Sequence, residues 1–203
     1  MSIELQSRIS QIRESVAKNS FQNGELLSLA KDCISKNADK ELLHQLLDIS
    51  HLSTISSHIQ KTKQVDIWFN YLLEIIQLSG FNVGYLLKQR AEKYKEKIAF
   101  FVIKNGKISN ISYSSLWKKV IEIGKGVSSF NNRDLKPIIG LLTHNQLNGA
   151  LVDLACLSFG FKIIPIPLNS TSEHASYIIN HSEITHIFVG GENAEKIWND
   201  IRH

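Results

Sequence analysis

The chain has few of the side-chain arrangements that usually perform catalysis. Cys33 and Cys156 each lie in an apolar pattern of helical spacing, without a CxxC or Cys/His spacing typical of metal ligation. We therefore predict that both are small buried apolar side chains and not reactive thiols. His174 and His181 are seven residues apart on a predicted helix, a rise of roughly 10 Å, which is too far for them to share one metal ion. We expect these two histidines to be exposed, and we predict no metal site and no catalytic residue.

Motifs for nucleotide and hydrolase chemistry are absent from the sequence as well. Gly124-Lys125-Gly126 lies in a helical pattern, and Val127 follows it where a phosphate-binding loop has Lys and Ser/Thr. The patterns GxGxxG, GxSxG and HExxH do not occur. Dinucleotide-binding domains, α/β-hydrolases and zincins therefore lose support.

One loop is a candidate cofactor-binding site. Thr143, His144 and Asn145 follow the apolar run from Pro137 to Leu142 and precede a helix predicted from about Gln146 to Phe159. Ligands of doubly wound sheets gather beyond the carboxyl ends of the strands, where this loop is expected to lie. The alternative is a purely structural role, in which Asn145 only caps the helix that follows.

The two halves of the chain have different hydrophobic periodicities. From Ser2 to Gly80 the apolar residues recur at helical spacing, so residues 1–81 are predicted to form an all-α N-terminal region. Within it, the segment Asp66 to Ser79 has only a narrow polar stripe, which predicts a helix buried on most of its circumference. Residues 82–203 alternate helical patterns with short apolar runs, which is typical of βα units. We predict that they form a separate α/β subdomain.

The α/β subdomain is predicted to begin with a β-hairpin and to continue as a βαβαβ unit. The hairpin pairs Ile98 to Ile103 with Lys107 to Tyr113 through Asn105-Gly106, a dipeptide that suits a type I′ turn. Ser114 is expected to cap the following helix. Later apolar runs, at residues 137–142, 161–166 and 185–189, are separated by helical patterns. Right-handed crossovers then predict a parallel sheet covered by helices on both faces.

Composition and charge narrow the possible environments and partners. The net charge is +4, with 8 basic and 9 acidic residues in 1–81 and 15 and 10 in 82–203. The densest basic cluster, between Lys88 and Lys97, is interrupted by Glu92 and Glu96 and has no nucleic-acid-binding signature, so we expect a solvated helix face and no nucleic acid. The N-terminus lacks a signal-peptide core, and no apolar stretch approaches 18 residues. We expect a cytoplasmic protein without a membrane span.

Short motifs in the α/β half occur in an order that is similar to a known family. They are Ile111-Ser112-Tyr113-Ser114-Ser115-Leu116, Gly126, Ile138 to Leu142, Asn145, Ala155-Cys156-Leu157, Gly160, Pro165-Ile166-Pro167, Tyr177-Ile178-Ile179 and Ile187-Phe188-Val189. This series resembles the first part of adenylate-forming enzymes, and most of all the long-chain fatty acid CoA ligases, also called acyl-CoA synthetases. The resemblance covers about residues 82 to 203. It departs from the family where the acidic residue expected after Asn145 is replaced by the neutral stretch 146–149.

The resemblance implies a parent enzyme of fatty acid metabolism. Such a ligase uses ATP and magnesium to convert a fatty acid to an acyl-adenylate, and it then passes the acyl group to CoA. The family's phosphate loop, its adenine and ribose motifs and its catalytic lysine lie later than this sequence extends. The chain is therefore expected to be an N-terminal fragment that is inactive alone and binds no cofactor of its own. Its implied partners are the remainder of the ligase domain and, in the parent, a fatty acid.

A second hypothesis comes from a different functional class. The helical half has no counterpart in the resemblance, so the chain is alternatively a non-catalytic interaction module with a helical docking region. Coding sequence beyond His203 discriminates between the two hypotheses. A downstream Ser/Thr/Gly-rich loop that ends in Lys-Gly supports the ligase, and an in-frame stop supports the interaction module.

Overall fold

The computed structural model describes residues 2–18, 20–50, 52–104, 106–130 and 136–202. The chain divides into two compact units, Met1–Phe81 and Asn82–His203, which we name the helical unit and the α/β unit. The assignment of the same two ranges as separate domains stays a prediction. No described helix is both long enough and apolar enough to cross a membrane.

The described part of the helical unit is all α-helical, as predicted. Its helices are α1 (Ser2–Ala17), α2 (Asn23–Ser35), α3 (Lys40–Ser50), α4 (Ser53–Lys61) and α5 (Val65–Ser79). The start of α3 is capped by Asp39, whose carboxylate accepts a hydrogen bond of 2.9 Å from the backbone N–H of Leu42. Such a cap satisfies one of the N–H groups that a helix leaves unpaired at its first turn.

Side chains from all five helices form one apolar core inside the helical unit. Fully buried members are Leu5, Ile9, Leu26, Leu29, Leu43, Leu46, Ile55 and Ile75. A core of this kind forms because amphipathic helices turn their apolar stripes toward one another. The helical unit therefore buries a core that consists of its own residues.

The prediction that α5 is buried on most of its circumference is wrong. Only Trp68, Ile75 and Ser79 of this helix are buried. An apolar stripe on another side is exposed, and its members are Val65, Phe69, Leu73 and Ile76. The number of apolar residues shows how much apolar surface a helix has, whereas its burial depends on how many sides the neighbouring elements cover. Within its unit α5 packs mainly against α2 and α3, which cover one side.

The α/β unit has the predicted order of a helix, a hairpin and a βαβαβ series. Its elements are α6 (Val83–Tyr94), β1 (Ile98–Lys104), β2 (Lys107–Ser112), α7 (Tyr113–Ser128), β3 (Ile138–Thr143), α8 (Leu147–Phe159), β4 (Lys162–Pro165), α9 (Ser172–His181), β5 (His186–Gly190) and α10 (Glu192–Ile201). Strands β1 and β2 are antiparallel, and the other three form a parallel sheet in the order β4-β3-β5.

The junction between the hairpin and α7 differs from the prediction by two residues. Ser112, not Ser114, is the N-cap of α7, and its hydroxyl accepts a hydrogen bond of 3.3 Å from the backbone N–H of Ser115. Because strand pairing ends at Ser112, the helix begins at once with Tyr113. In the predicted turn, Gly106 has a φ of 71°, and Asn105 lies outside the described residues.

Helices cover both faces of the parallel sheet, as predicted. On one face, Ile139 packs with Val152 and Cys156 of α8. On the other face, Leu142 packs with residues of α9 and α10 that include Ala175 and Ala194. Parallel sheets are normally buried on both sides, which explains the continuous apolar character of β3.

Candidate functional site

The carboxyl edge of the parallel sheet brings two loops together. Strand β3 lies in the centre of the sheet, with β4 on one side and β5 on the other. The chain leaves β3 through α8 toward β4, whereas β5 follows on the opposite side. The carboxyl ends of β3 and β5 therefore form a topological switch point, the position where ligands of such sheets bind. Thr143 and Gly190 are paired there.

The Thr143 side chain connects the two loops by hydrogen bonds. Its hydroxyl donates to the carbonyl oxygen of Gly190 at 3.1 Å. The same oxygen accepts a hydrogen bond of 2.9 Å from the Gln146 side-chain amide. The hydroxyl is thus engaged as both donor and acceptor, so it holds the edge together.

Two consecutive glycines permit this close approach. A Cβ at Gly190 would lie 2.6 Å from Oγ1 of Thr143 and 2.8 Å from Nε2 of Gln146. A Cβ at Gly191 would lie 2.7 Å from Cδ2 of His144, and Gly191 also has a φ of 96°. The β5–α10 loop therefore packs against Thr143 and the exposed imidazole of His144.

Asn145 does not join this edge, and the predicted cap is wrong. The N-cap of α8 is Gln146, whose side chain makes no capping hydrogen bond. Asn145 instead lines an open groove of about 550 Å³ together with residues of β1. The helix starts one residue later than predicted, which moves Asn145 out of the capping position. The three candidate residues are thus divided between the sheet edge and the groove.

Gln146 also belongs to this edge, although the sequence did not identify it as a site residue. Its amide is a donor and an acceptor in the same loop as Thr143. A signal for it existed in the sequence, because it directly follows the candidate residues. Its hydrogen bond to Thr143 shows that it helps to shape the edge.

The edge can hold a polar group by hydrogen bonds, but its residues do not fit a triphosphate. Helices α8 and α10 both begin here without a side-chain cap, so N–H groups of their first turns are available. However, Glu192 and Glu195 lie in the first turn of α10, and neither loop carries a lysine or arginine. A polyphosphate would meet acidic side chains without a compensating cation.

The burial of the two cysteines and the exposure of His174 and His181 are as predicted from the sequence. Cys33 and Cys156 are both buried and free. Burial raises the pKa of each thiol to about 11, so neither is a reactive thiolate at neutral pH. His174 and His181 are exposed, and the His181 ring stacks on Tyr177 with centroids 5.2 Å apart. Among the described residues, no three His, Cys, Asp or Glu side chains come together as a metal site.

This fold and its carboxyl-edge site define an α/β protein of the parallel-sheet class. The family model described as AMP-binding enzyme matches residues 87–202. These 116 residues are more than half of the 203 in the chain. The chain belongs to the AMP-binding enzyme family. No curated protein was found to match it.

Solved structures with the same fold include fatty acyl-CoA synthetases. The Mycobacterium tuberculosis fatty acyl CoA synthetase matches with a TM-score of 0.53 and 16% identity, over 60% of this chain and 23% of its own. The inhibitor-bound N-terminal domain of FACL13 from the same organism also gives 0.53 and 16%, over 60% of this chain and 29% of its own. This likeness shows the fold. The chain therefore spans less than a third of the length of either structure.

Proposed function

We propose that the chain is the N-terminal part of an ATP-dependent fatty acid CoA ligase. The observation that carries this proposal is the family match, which begins and ends inside the α/β unit. The ordered motifs from Ile111 to Val189 support the fatty acid CoA ligases within that family. Structures of fatty acyl-CoA synthetases support the proposal through the fold alone.

In this proposal the chain supplies a scaffold, and the remainder of the ligase domain supplies the chemistry. ATP, magnesium and CoA are used by the parent enzyme, which joins a fatty acid to the CoA thiol by way of an acyl-adenylate. The acidic first turn of α10 and the absence of basic residues in the edge loops argue against ATP binding by this chain alone. We infer that His144 and the first-turn N–H groups of α8 and α10 hold a polar group of a bound molecule at the sheet edge, which Thr143 keeps in shape. The parent belongs to cytoplasmic fatty acid metabolism.

The reading frame downstream of codon 203 tests the proposal. We expect it to continue and to encode a Ser/Thr/Gly-rich loop ending in Lys-Gly, followed by a later catalytic lysine. An in-frame stop at codon 204 would instead favour the second candidate function.

That second candidate is a non-catalytic interaction module with a helical docking region. The exposed apolar stripe of α5 favours it, since Phe69 is 57% exposed and Leu73 is 45% exposed. Exposed apolar patches on monomeric proteins often mark interaction sites. A stop at codon 204 together with binding of a partner through α5 would establish this function.

A further inference from the structure

The groove that contains Asn145 runs along the edge of a strand. Four consecutive residues of β1, Phe100 to Ile103, line one wall of it. Successive side chains of a strand point to opposite faces, so four in a row border a single groove only when it follows the strand edge. On its other edge β1 pairs with β2, and no further described strand pairs with either of them. The groove therefore lies along an unpaired edge of the hairpin.

The opposite wall carries no charge and has both polar and apolar members. It is formed at the start of α8, where Asn145, Gln146, Leu147, Asn148 and Ala150 line the groove. Each side-chain amide has both donors and an acceptor, which complement the N–H and C=O groups of a peptide backbone. A wall without charge does not select an ion. It suits the backbone of an extended peptide that also pairs with β1.

The apolar residues of the hairpin show what else this peptide would cover. Phe101 and Ile103 are 68% and 73% exposed, and Ile108, opposite Ile103, is 67% exposed. A two-stranded hairpin is marginal in water, and proteins usually protect an edge strand with charged residues or by covering it. Between Ala99 and Ile103 the strand carries no charge. An additional strand would pair the free edge of β1 and bury part of this surface.

We propose that the groove receives an extended strand from the remainder of the ligase domain, paired with the free edge of β1. This inference rests on the proposed function, which names the remainder as the partner. The matched solved chains are covered to only 23% and 29%, so most of their length is available to supply such a strand. Strand addition of this type derives affinity from main-chain hydrogen bonds and specificity from alternate side chains.

A second copy of the chain fits the groove less well. To pair its own β1 with the β1 of this groove, a second copy would also have to bring in the start of its α8, which lies along its own β1. Pairing two β1 edges would bring each wall from Asn145 to Asn148 onto the hairpin of the other copy. A strand without such a wall avoids this collision, so the remainder of the ligase is the better occupant.

Hydrogen exchange of β1 tests the proposal. The 203-residue chain and the product of the complete reading frame are compared by mass spectrometry of peptides that contain residues 100–103. We expect exchange about 100-fold slower in the complete product, because pairing protects edge amides. Asn148→Trp places a large side chain in the groove from an exposed position. It should return the exchange of the complete product to that of the 203-residue chain.

Two further measurements make each outcome decisive. Lys119→Trp, at an exposed position of α7 that does not line the groove, should leave β1 protected. Asn145→Trp repeats the groove test, and unchanged protection of β3 peptides shows that each variant is folded. Equal exchange of β1 in the chain and in the complete product would overturn the inference, as would a reading frame that ends at His203.

The same complete product is assayed for pyrophosphate–ATP exchange with palmitate. Activity with an unprotected β1 would overturn the strand proposal and leave the proposed function intact. Protection of β1 in a product without activity would instead support the strand proposal and contradict the proposed function. The two failures are therefore distinguishable.

Discussion

The hydroxyl of Thr143 donates a hydrogen bond to the carbonyl oxygen of Gly190 across the carboxyl ends of β3 and β5. The two residues are 47 positions apart in the sequence and are paired in the parallel sheet. This contact holds the β5–α10 loop against the β3–α8 loop. The shape of the candidate site therefore depends on the absence of a side chain at Gly190.

Gly190→Ala should destabilise the α/β unit by about 1 to 3 kcal/mol, because overpacking forces neighbouring atoms to move. The added Cβ would lie 2.6 Å from Oγ1 of Thr143. Urea denaturation measures the change in the free energy of unfolding. Gly126→Ala in α7 is the control, since its Cβ would meet nothing within 4 Å. It should be neutral or stabilising by about 0.5 to 1 kcal/mol. Equal destabilisation by the two substitutions would contradict the packing described for this edge.

Adjacent aromatic residues of α5 should differ sharply in their contribution to stability. Trp68 is 6% exposed, so Trp68→Ala should cost about 3 to 5 kcal/mol through loss of buried area and formation of a cavity. Phe69 lies on the exposed stripe, so Phe69→Ala should lower the free energy of unfolding by less than about 1 kcal/mol. Thermal and denaturant melts of the two variants measure the difference. Similar losses would show that α5 is buried on both sides, as its sequence alone suggests.

The two buried thiols should make stability fall at alkaline pH. Burial raises the pKa of Cys33 and of Cys156 from 9.0 to about 11. Between these values the unfolded chain releases protons that the folded chain retains, so the free energy of unfolding decreases as pH rises from about 9 to 11. Below pH 9 this contribution is fully present.

Urea melts of the wild-type chain and of Cys156→Ala across this pH range measure the effect. The variant should be less stable at pH 7 and should lose less stability between pH 9 and 11. An identical slope in both proteins would rule out a contribution from the Cys156 thiol. In the native chain at pH 8, both thiols should also react slowly with a disulfide reagent.

Residues 1–81 should unfold cooperatively when they are expressed alone, because side chains from all five of their helices form the core. The exposed stripe of α5 should nevertheless cause self-association. Phe69→Lys should reduce this association without lowering the melting temperature by more than a few degrees. Calorimetry and sedimentation measure the two effects. A broad, non-cooperative transition would contradict the assignment of residues 1–81 as a separate domain.

Periodicity predicted the element order of both units because local spacing determines which segments become helices or strands. Details that depend on one residue were less predictable. Ser112, Ser114 and Ser115 all offer capping hydroxyls, and the end of strand pairing decides among them. Likewise, the start of α8 at Leu147 decides that Asn145 lines the groove.

Contacts between distant segments were not predictable from the sequence. The burial of α5 depends on which of its sides α2 and α3 cover. The number of apolar residues in α5 therefore led to an overestimate of how much of the helix is buried. The candidate loop was correctly placed at the carboxyl end of a strand, since this follows from the order of the βα units. Its contact with Gly190 and Gly191 required the sheet order β4-β3-β5, which local patterns do not specify.

Pyrophosphate–ATP exchange with palmitate tests the central proposal most directly. We expect the product of the complete reading frame to incorporate labelled pyrophosphate into ATP only when the fatty acid is present. The 203-residue chain alone should not exceed a buffer blank, because its sheet edge offers acidic first-turn residues and no cation for the phosphates. Exchange by the 203-residue chain, or its absence from the complete product, would contradict the proposal.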